Sequence, residues 1–168
     1  MIIHEGSLRA EGKRFAIIAS RFNDFMVEKL VEGAQDALRR SGATDGDVEI
    51  YRCPGAFEIP GLLRHVVDTG RFQGVVCLGV VIRGATPHFD LVVGEATGGV
   101  ARIAAEGKVA VGLGVLACET IEQAIERAGS KSGNRGFDAA MVAVEMANLY
   151  SGDALAAKPA AARKAARR

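Results

Sequence analysis

Tryptophan is absent from this 168-residue chain, and aromatic residues make up only 5% of it. Hydrophobic residues make up 49%, so the core must be aliphatic and rich in alanine. Cysteine is scarce: Cys53, Cys77 and Cys118 are widely spaced and form no C-x-x-C pair. That spacing excludes a disulfide framework and a cysteine zinc site, and it fits a reducing cytoplasm. Each falls in or beside an expected strand, where a small core residue belongs. An excess of one charge is missing too, since the net charge is +1, so no nucleic-acid partner is expected. No apolar run reaches membrane-spanning length, and no membrane association is expected. The opening residues MIIHEGSLRAEGK show no basic-then-apolar secretion pattern. There is no G-x-x-x-x-G-K-S loop, no G-x-S-x-G and no metal-spaced His/Cys cluster. ATP hydrolysis, serine hydrolysis and zinc catalysis therefore lack their usual signatures. His4 and His65 have no ligand-like neighbours and are assigned no function.

Glycine, by contrast, is abundant, with 21 residues placed mostly where apolar runs end and turns are needed. Five cations and no acid lie between Lys158 and Arg168, so the rest of the chain is net acidic. This low-complexity basic tail, 158–168, reads as a solvated, disordered segment or as an arm for an anionic partner or cargo. Residues 1–157 read as one domain, with no second domain and no internal repeat.

Within that domain, apolar and amphipathic stretches alternate. KRFAIIAS (13–20), DVEIYRC (47–53), GVVCLGVVI (74–82) and KVAVGLGVLAC (108–118) read as strands. The third is apolar on both faces, as a central parallel strand should be. Helical periodicity follows each strand, and a last amphipathic helix covers FDAAMVAVEMANLY. The first helix carries Val27, Leu30, Val31, Ala34 and Leu38 on one face, with Asn23 or Asp24 as its cap. Thr120 and Gln123 form a capping box for the fourth. Gly98 and Gly99 weaken the third. This alternation predicts an α/β fold in which helices flank a four-stranded parallel sheet. Ligands of such sheets bind beyond the carboxyl ends of the strands. A sheet this small leaves aliphatic helices uncovered, which favours an oligomer.

The loops expected at that end hold the candidate chemistry. In GATPH, Gly84 frees the backbone, Thr86 can cap a helix, Pro87 suits the first helical position, and His88 follows in the first turn. Amides at a helix start bind phosphate without a metal. The same end disfavours imidazolium, whereas a phosphate dianion favours it, a coupling suited to a residue that takes and then gives a proton. A capping or packing histidine is the plainer alternative. In CPGAFEIP, free amides and the Glu58 carboxylate could hold a polyhydroxylated chain, or Glu58 could simply complement the helix dipole. Phe22 could stack on a flat heterocycle or staple the next helix. GLGVLA (112–117) matches G-x-G-x-x-A, but it lies inside a strand rather than in the turn after one. Close packing explains its glycines better.

Taken in order, RFN, PGAFEIP, GVVIRGATPHFD and EQAIERAGSKSGNRGFDAA resemble the lumazine synthase family, 6,7-dimethyl-8-ribityllumazine synthase, from about Arg14 to Leu149. The resemblance implies a flavodoxin-like three-layer sandwich with a four-stranded parallel sheet. It implies condensation of 5-amino-6-(D-ribitylamino)uracil with 3,4-dihydroxy-2-butanone 4-phosphate, the penultimate step of riboflavin biosynthesis, with no cofactor or metal. His88 would shuttle protons. Phe22 would stack on the pyrimidine, and Val80, Val81 and Ile82 would edge it through backbone groups. Ala56, Phe57 and Glu58 would line the ribityl side, while Ala85 and Thr86 would hold the phosphate. Leu113 and Arg127 would come from a neighbouring subunit, Arg127 as a second phosphate anchor. Leu113, Leu91 and Arg135 stand where the family commonly has phenylalanine, tyrosine and lysine. The family resemblance also implies a homopentamer. The short link Gly129-Ser-Lys131-Ser-Gly133 resembles that of members whose twelve pentamers close an icosahedral capsid, with riboflavin synthase a possible associate. A non-catalytic flavin- or lumazine-binding module, or a shell protein, is the alternative.

Overall fold

The computed structural model describes residues 1–152; the expected domain end at 157 and the basic tail lie outside the described residues. Its strands are β1 (Phe15–Ser20), β2 (Val48–Cys53), β3 (Gly74–Ile82) and β4 (Ala110–Cys118). They form one all-parallel sheet in the order β2-β1-β3-β4. The helices are α1 (Asp24–Arg40), α2 (Ile59–Asp68), α3 (His88–Ala104), α4 (Ile121–Arg127) and α5 (Arg135–Ser151). This is the expected flavodoxin-like sandwich. The run of apolar residues in β3 has its reason in this order: β3 lies between β1 and β4 and is covered on both faces.

Alternation along each strand divides the core. Phe15, Ile17, Val76 and Leu78 face α1 and α5, where they meet Leu30, Ala140 and Val144. Ile18, Val75 and Cys77 face the other way, toward Ile59 and Leu63 of α2 and Val100 of α3. Each fully buried Leu or Ile contributes about 1.5–3 kcal/mol. The three cysteines are free and buried, and burial pushes the Cys77 thiol up to about 12.

The glycines of GLGVLA prove to be packing residues. A Cβ on Gly112 would run into the Ala139 carbonyl, and one on Gly114 would lie 2.6 Å from Leu78 Cδ2. Their absence lets α5 lie directly on β4. Gly99 does not interrupt α3; a Cβ there would meet the Pro60 ring at 2.6 Å, so the glycine lets α3 approach α2.

Helix caps depart from expectation in three places. Asn23 occupies the cap of α1 in the left-handed region, φ 61° and ψ 41°, but its side chain makes no cap bond. Instead its Nδ2 donates to the Val80 carbonyl at 2.8 Å. The physical reason is register: the β1–β3 pairing ends at Ala19–Leu78, so the Val80 oxygen lies beyond the ladder and takes a side-chain donor. Thr86 does not cap α3 either. The Asp90 amide donates to the Pro87 carbonyl at 3.0 Å, and this tight turn puts Pro87 at the cap and His88 first in the helix. Thr120 does cap α4, accepting from Gln123 N at 3.3 Å, but the Gln123 side chain accepts from Glu119 N rather than from Thr120. Among the described residues no helix is long and apolar enough to cross a membrane.

Candidate functional site

Where β1, β2 and β3 end, their loops diverge and leave a pocket of about 680 Å³. β1 delivers Phe22 to it, two residues past the strand, with 70% of the residue exposed. The turn after β2 delivers Gly55, Ala56, Phe57 and Glu58, three of which form one 3₁₀ turn, Ala56–Glu58. The last residues of β3, Val80, Val81 and Ile82, form another wall. Beyond them come Gly84 and Thr86, then His88 at the head of α3. Residues far apart in sequence thus meet at the carboxyl edge of the sheet, the place where parallel α/β sheets take their ligands.

Most of the residues expected from sequence therefore line one cavity. Ala85 is exposed in the same loop but is not among the lining residues. Leu113 and Arg127 lie outside this pocket. Leu113 stands on the edge strand β4, half exposed, on the face of the sheet that α2 and α3 cover only in part. Arg127 donates from Nη1 to the Gln123 carbonyl at 3.1 Å, within its own helix.

Phe89, Val92 and Glu95 also line the pocket without any signal having singled them out, while Asn23 figured only as a helix cap and Leu91 only as a departure from the family pattern. Helical periodicity from His88 could have found three more α3 contributors. His88, Leu91, Val92 and Glu95 fall at i, i+3, i+4 and i+7, so they share one face of α3. Asn23 carried no comparable signal, because its bond partner Val80 is 57 residues away.

The electrostatics of the rim centre on Arg83, which follows β3. Its guanidinium holds both carboxylate oxygens of Asp90, each at 3.0 Å, and Glu119 Oε2 at 2.7 Å. The Arg83 hydrogen bonds hold the Asp90 carboxyl below its usual range, and the two carboxylates hold the guanidinium more firmly charged. Behind the lining, at the end of β2, burial and then the Glu58 charge push the buried Cys53 thiol up, which keeps it neutral. No group of three His, Cys, Asp or Glu side chains among the described residues is disposed to hold a metal. Chemically, the pocket offers an exposed ring for stacking, strand-end backbone groups, one carboxylate, and an imidazole beside a glycine-containing loop at a helix start.

The sequence model of the 6,7-dimethyl-8-ribityllumazine synthase family matches residues 12–151. A relative of that name from Chlorobium phaeobacteroides is 58% identical over 146 residues, covering 87% of this chain and 94% of its own. Another from Anaeromyxobacter sp. (strain Fw109-5) is 55% identical over 149 residues, covering 89% and 91%. A third from Anaeromyxobacter sp. (strain K) is 54% identical over 160 residues, covering 95% and 98%.

Proposed function

The chain belongs to the 6,7-dimethyl-8-ribityllumazine synthase family, and from that premise we propose how its pocket works. The protein is a transferase of riboflavin biosynthesis. It condenses 5-amino-6-(D-ribitylamino)uracil with 3,4-dihydroxy-2-butanone 4-phosphate to give 6,7-dimethyl-8-ribityllumazine, phosphate and water. The observation that carries the reading is the convergence of Phe22 after β1, Glu58 after β2, Val81 at the end of β3, and Thr86 and His88 at the start of α3 on one cavity.

In our assignment the pyrimidine lies on Phe22, with Val80, Val81 and Ile82 offering backbone groups along its edge. The ribityl chain runs toward Ala56, Phe57 and Glu58, where a carboxylate can accept from hydroxyls. The phosphate sits against Ala85 and Thr86 at the start of α3, where amide dipoles favour an anion. His88 stands next to both. The aromatic amine attacks the ketone and must lose a proton as the C–N bond forms. The carbinolamine must gain one for water to leave, phosphate elimination takes a proton from carbon, and ring closure expels water again. An imidazole that accepts and returns protons serves every stage. The resident chain needs no cofactor for this sequence of steps.

Leu113 and Arg127 enter a neighbouring subunit's pocket, Arg127 as its second phosphate anchor. The assembly is a homopentamer, and the short Gly129–Gly133 link favours twelve pentamers in an icosahedral capsid with room for riboflavin synthase. Three free, buried cysteines suit a cytoplasmic enzyme.

A metal-free turnover assay tests the reading. Purified protein is mixed with both substrates while lumazine fluorescence and phosphate release are followed. Both should rise together, well above the spontaneous rate. Tight pyrimidine binding without acceleration would instead make this chain a binding module.

A further inference from the structure

Arg83 is the first residue after β3, and its backbone amide donates to the Cys118 carbonyl at 2.9 Å, one step beyond the β3–β4 ladder. Its side chain then turns over the Phe89 ring, with Cζ 4.1 Å from the centroid. Nη1 and Nη2 donate to the two oxygens of Asp90 at 3.0 Å each, and Nε donates to Glu119 at 2.7 Å. One planar group thus grips the first turn of α3 twice and the β4–α4 loop once. A lysine cannot copy this, because an ammonium is a single point with no plane to stack or fork to share.

The contacts matter for where they lead. Phe89 and Asp90 directly follow His88 in α3. Glu119 directly precedes Thr120, the cap of α4, whose last residue is Arg127. Between Arg83 and His88 the loop has little packing of its own: residues 83–88 are all exposed, and nothing would touch a Cβ placed on Gly84. The loop is therefore placed by its ends. Half-exposed ion pairs of this kind add little to stability. They can still decide the position of a proton-transfer group, where a shift of about 1 Å costs on the order of 10²-fold in rate.

We propose that Arg83 is a positioning residue for the condensation, setting His88 through Asp90 and Phe89 and setting the helix that carries Arg127 through Glu119. This rests on the functional reading above. It gives the two carboxylates separate tasks, since Asp90 holds the proton shuttle and Glu119 holds the phosphate anchor.

The experiment uses the full chain and its Arg83→Gln, Arg83→Lys, Asp90→Asn and Glu119→Gln variants. Melting temperature, kcat and KM for each substrate are measured. Arg83→Gln should lower kcat about 10- to 100-fold, leave KM for the ribitylaminouracil within twofold, and melt within a few degrees of the parent. Arg83→Lys should recover little. Asp90→Asn should reproduce the fall in kcat, whereas Glu119→Gln should mainly raise KM for the butanone phosphate. The double variant Arg83→Gln/Asp90→Asn should be no slower than Arg83→Gln, because both remove one contact. An unchanged kcat, full rescue by lysine, or a loss that tracks a fallen melting temperature with both KM values rising overturns the proposal. If the parent protein itself fails to turn over, the functional reading fails separately. Arg83 is then judged by inorganic phosphate binding, followed by phosphorus NMR: weaker binding in Arg83→Gln supports its role, and equal binding overturns it.

Discussion

His88 takes its value from position rather than from partners. It is the first residue of α3, it lines the pocket, and its ring is left exposed. A histidine kept for packing would be buried; one kept as a cap would bond the helix end. Among the described residues the α3 start has no side-chain cap at all. Replacing it with alanine should therefore leave the fold intact and slow condensation by the 10² to 10⁴ typical of losing an acid–base group. Pyrimidine affinity, read by fluorescence titration, should change little because the stacking ring belongs to a different loop. A variant that turns over at the parental rate would remove His88 from the mechanism. Sequence reading reached this residue through GATPH, but it placed the helix one residue early and credited Thr86 with a cap. The error came from a turn that local rules do not see: the Asp90 amide closes on the Pro87 carbonyl while its carboxylate is held by Arg83.

At the scale of elements, strands and helices were legible because each apolar period is local. β3 begins and ends where its apolar run does. Side-chain bonds that join elements were not legible, because neither partner is near in sequence. Asn134 shows this well. Its Oδ1 caps α5 by accepting from Gly136 and Phe137, while its Nδ2 donates to Ala128 and to Lys29, the latter 105 residues away. The Arg64–Glu106 pair is a second case, tying α2 to the turn that ends α3. Hydrogen bonds from Arg64 first, then from Lys108, lower the Glu106 carboxyl from 4.5 to about 2. A carboxyl depressed on folding stabilises the native state fully above its unfolded value, and that contribution is lost as pH falls from about 4.5 toward 2. Thermal melts across this interval should show the parent losing stability. Arg64→Gln should already be less stable at neutral pH and should lose less on acidification. Parallel curves for the two proteins would show that the pair does not couple to folding.

At the scale of the whole molecule, a single chain presents most of the expected pocket; Ala85 stays in its loop without lining it, and Leu113 and Arg127 lie elsewhere. We propose that Leu113 and Arg127 serve a neighbouring subunit's pocket, and nothing in one chain's periodicity says which surface meets a second copy. The fold nevertheless gives Leu113 a surface that a second copy could cover. β4 is an edge strand, and Leu113 leaves a large apolar side chain half exposed beside an incompletely covered sheet face. Covering such a leucine contributes about 1.5–3 kcal/mol, a reason for subunits to associate there. If each pocket combines His88 of one subunit with Arg127 of the next, two inactive variants should repair one another. His88→Ala and Arg127→Ala subunits, co-expressed in equal amounts, would generate intact pockets wherever an Arg127→Ala subunit supplies His88 and its His88→Ala neighbour supplies Arg127. Random mixing around a cyclic ring makes that about one pocket in four. The mixed protein should therefore recover about a quarter of the parental rate, while mixing the separately assembled variants without exchange should recover none. Absence of recovery in verified mixed oligomers would place both residues in the same subunit's site or remove Arg127 from it, and the dependence of activity on assembly would fall with that result.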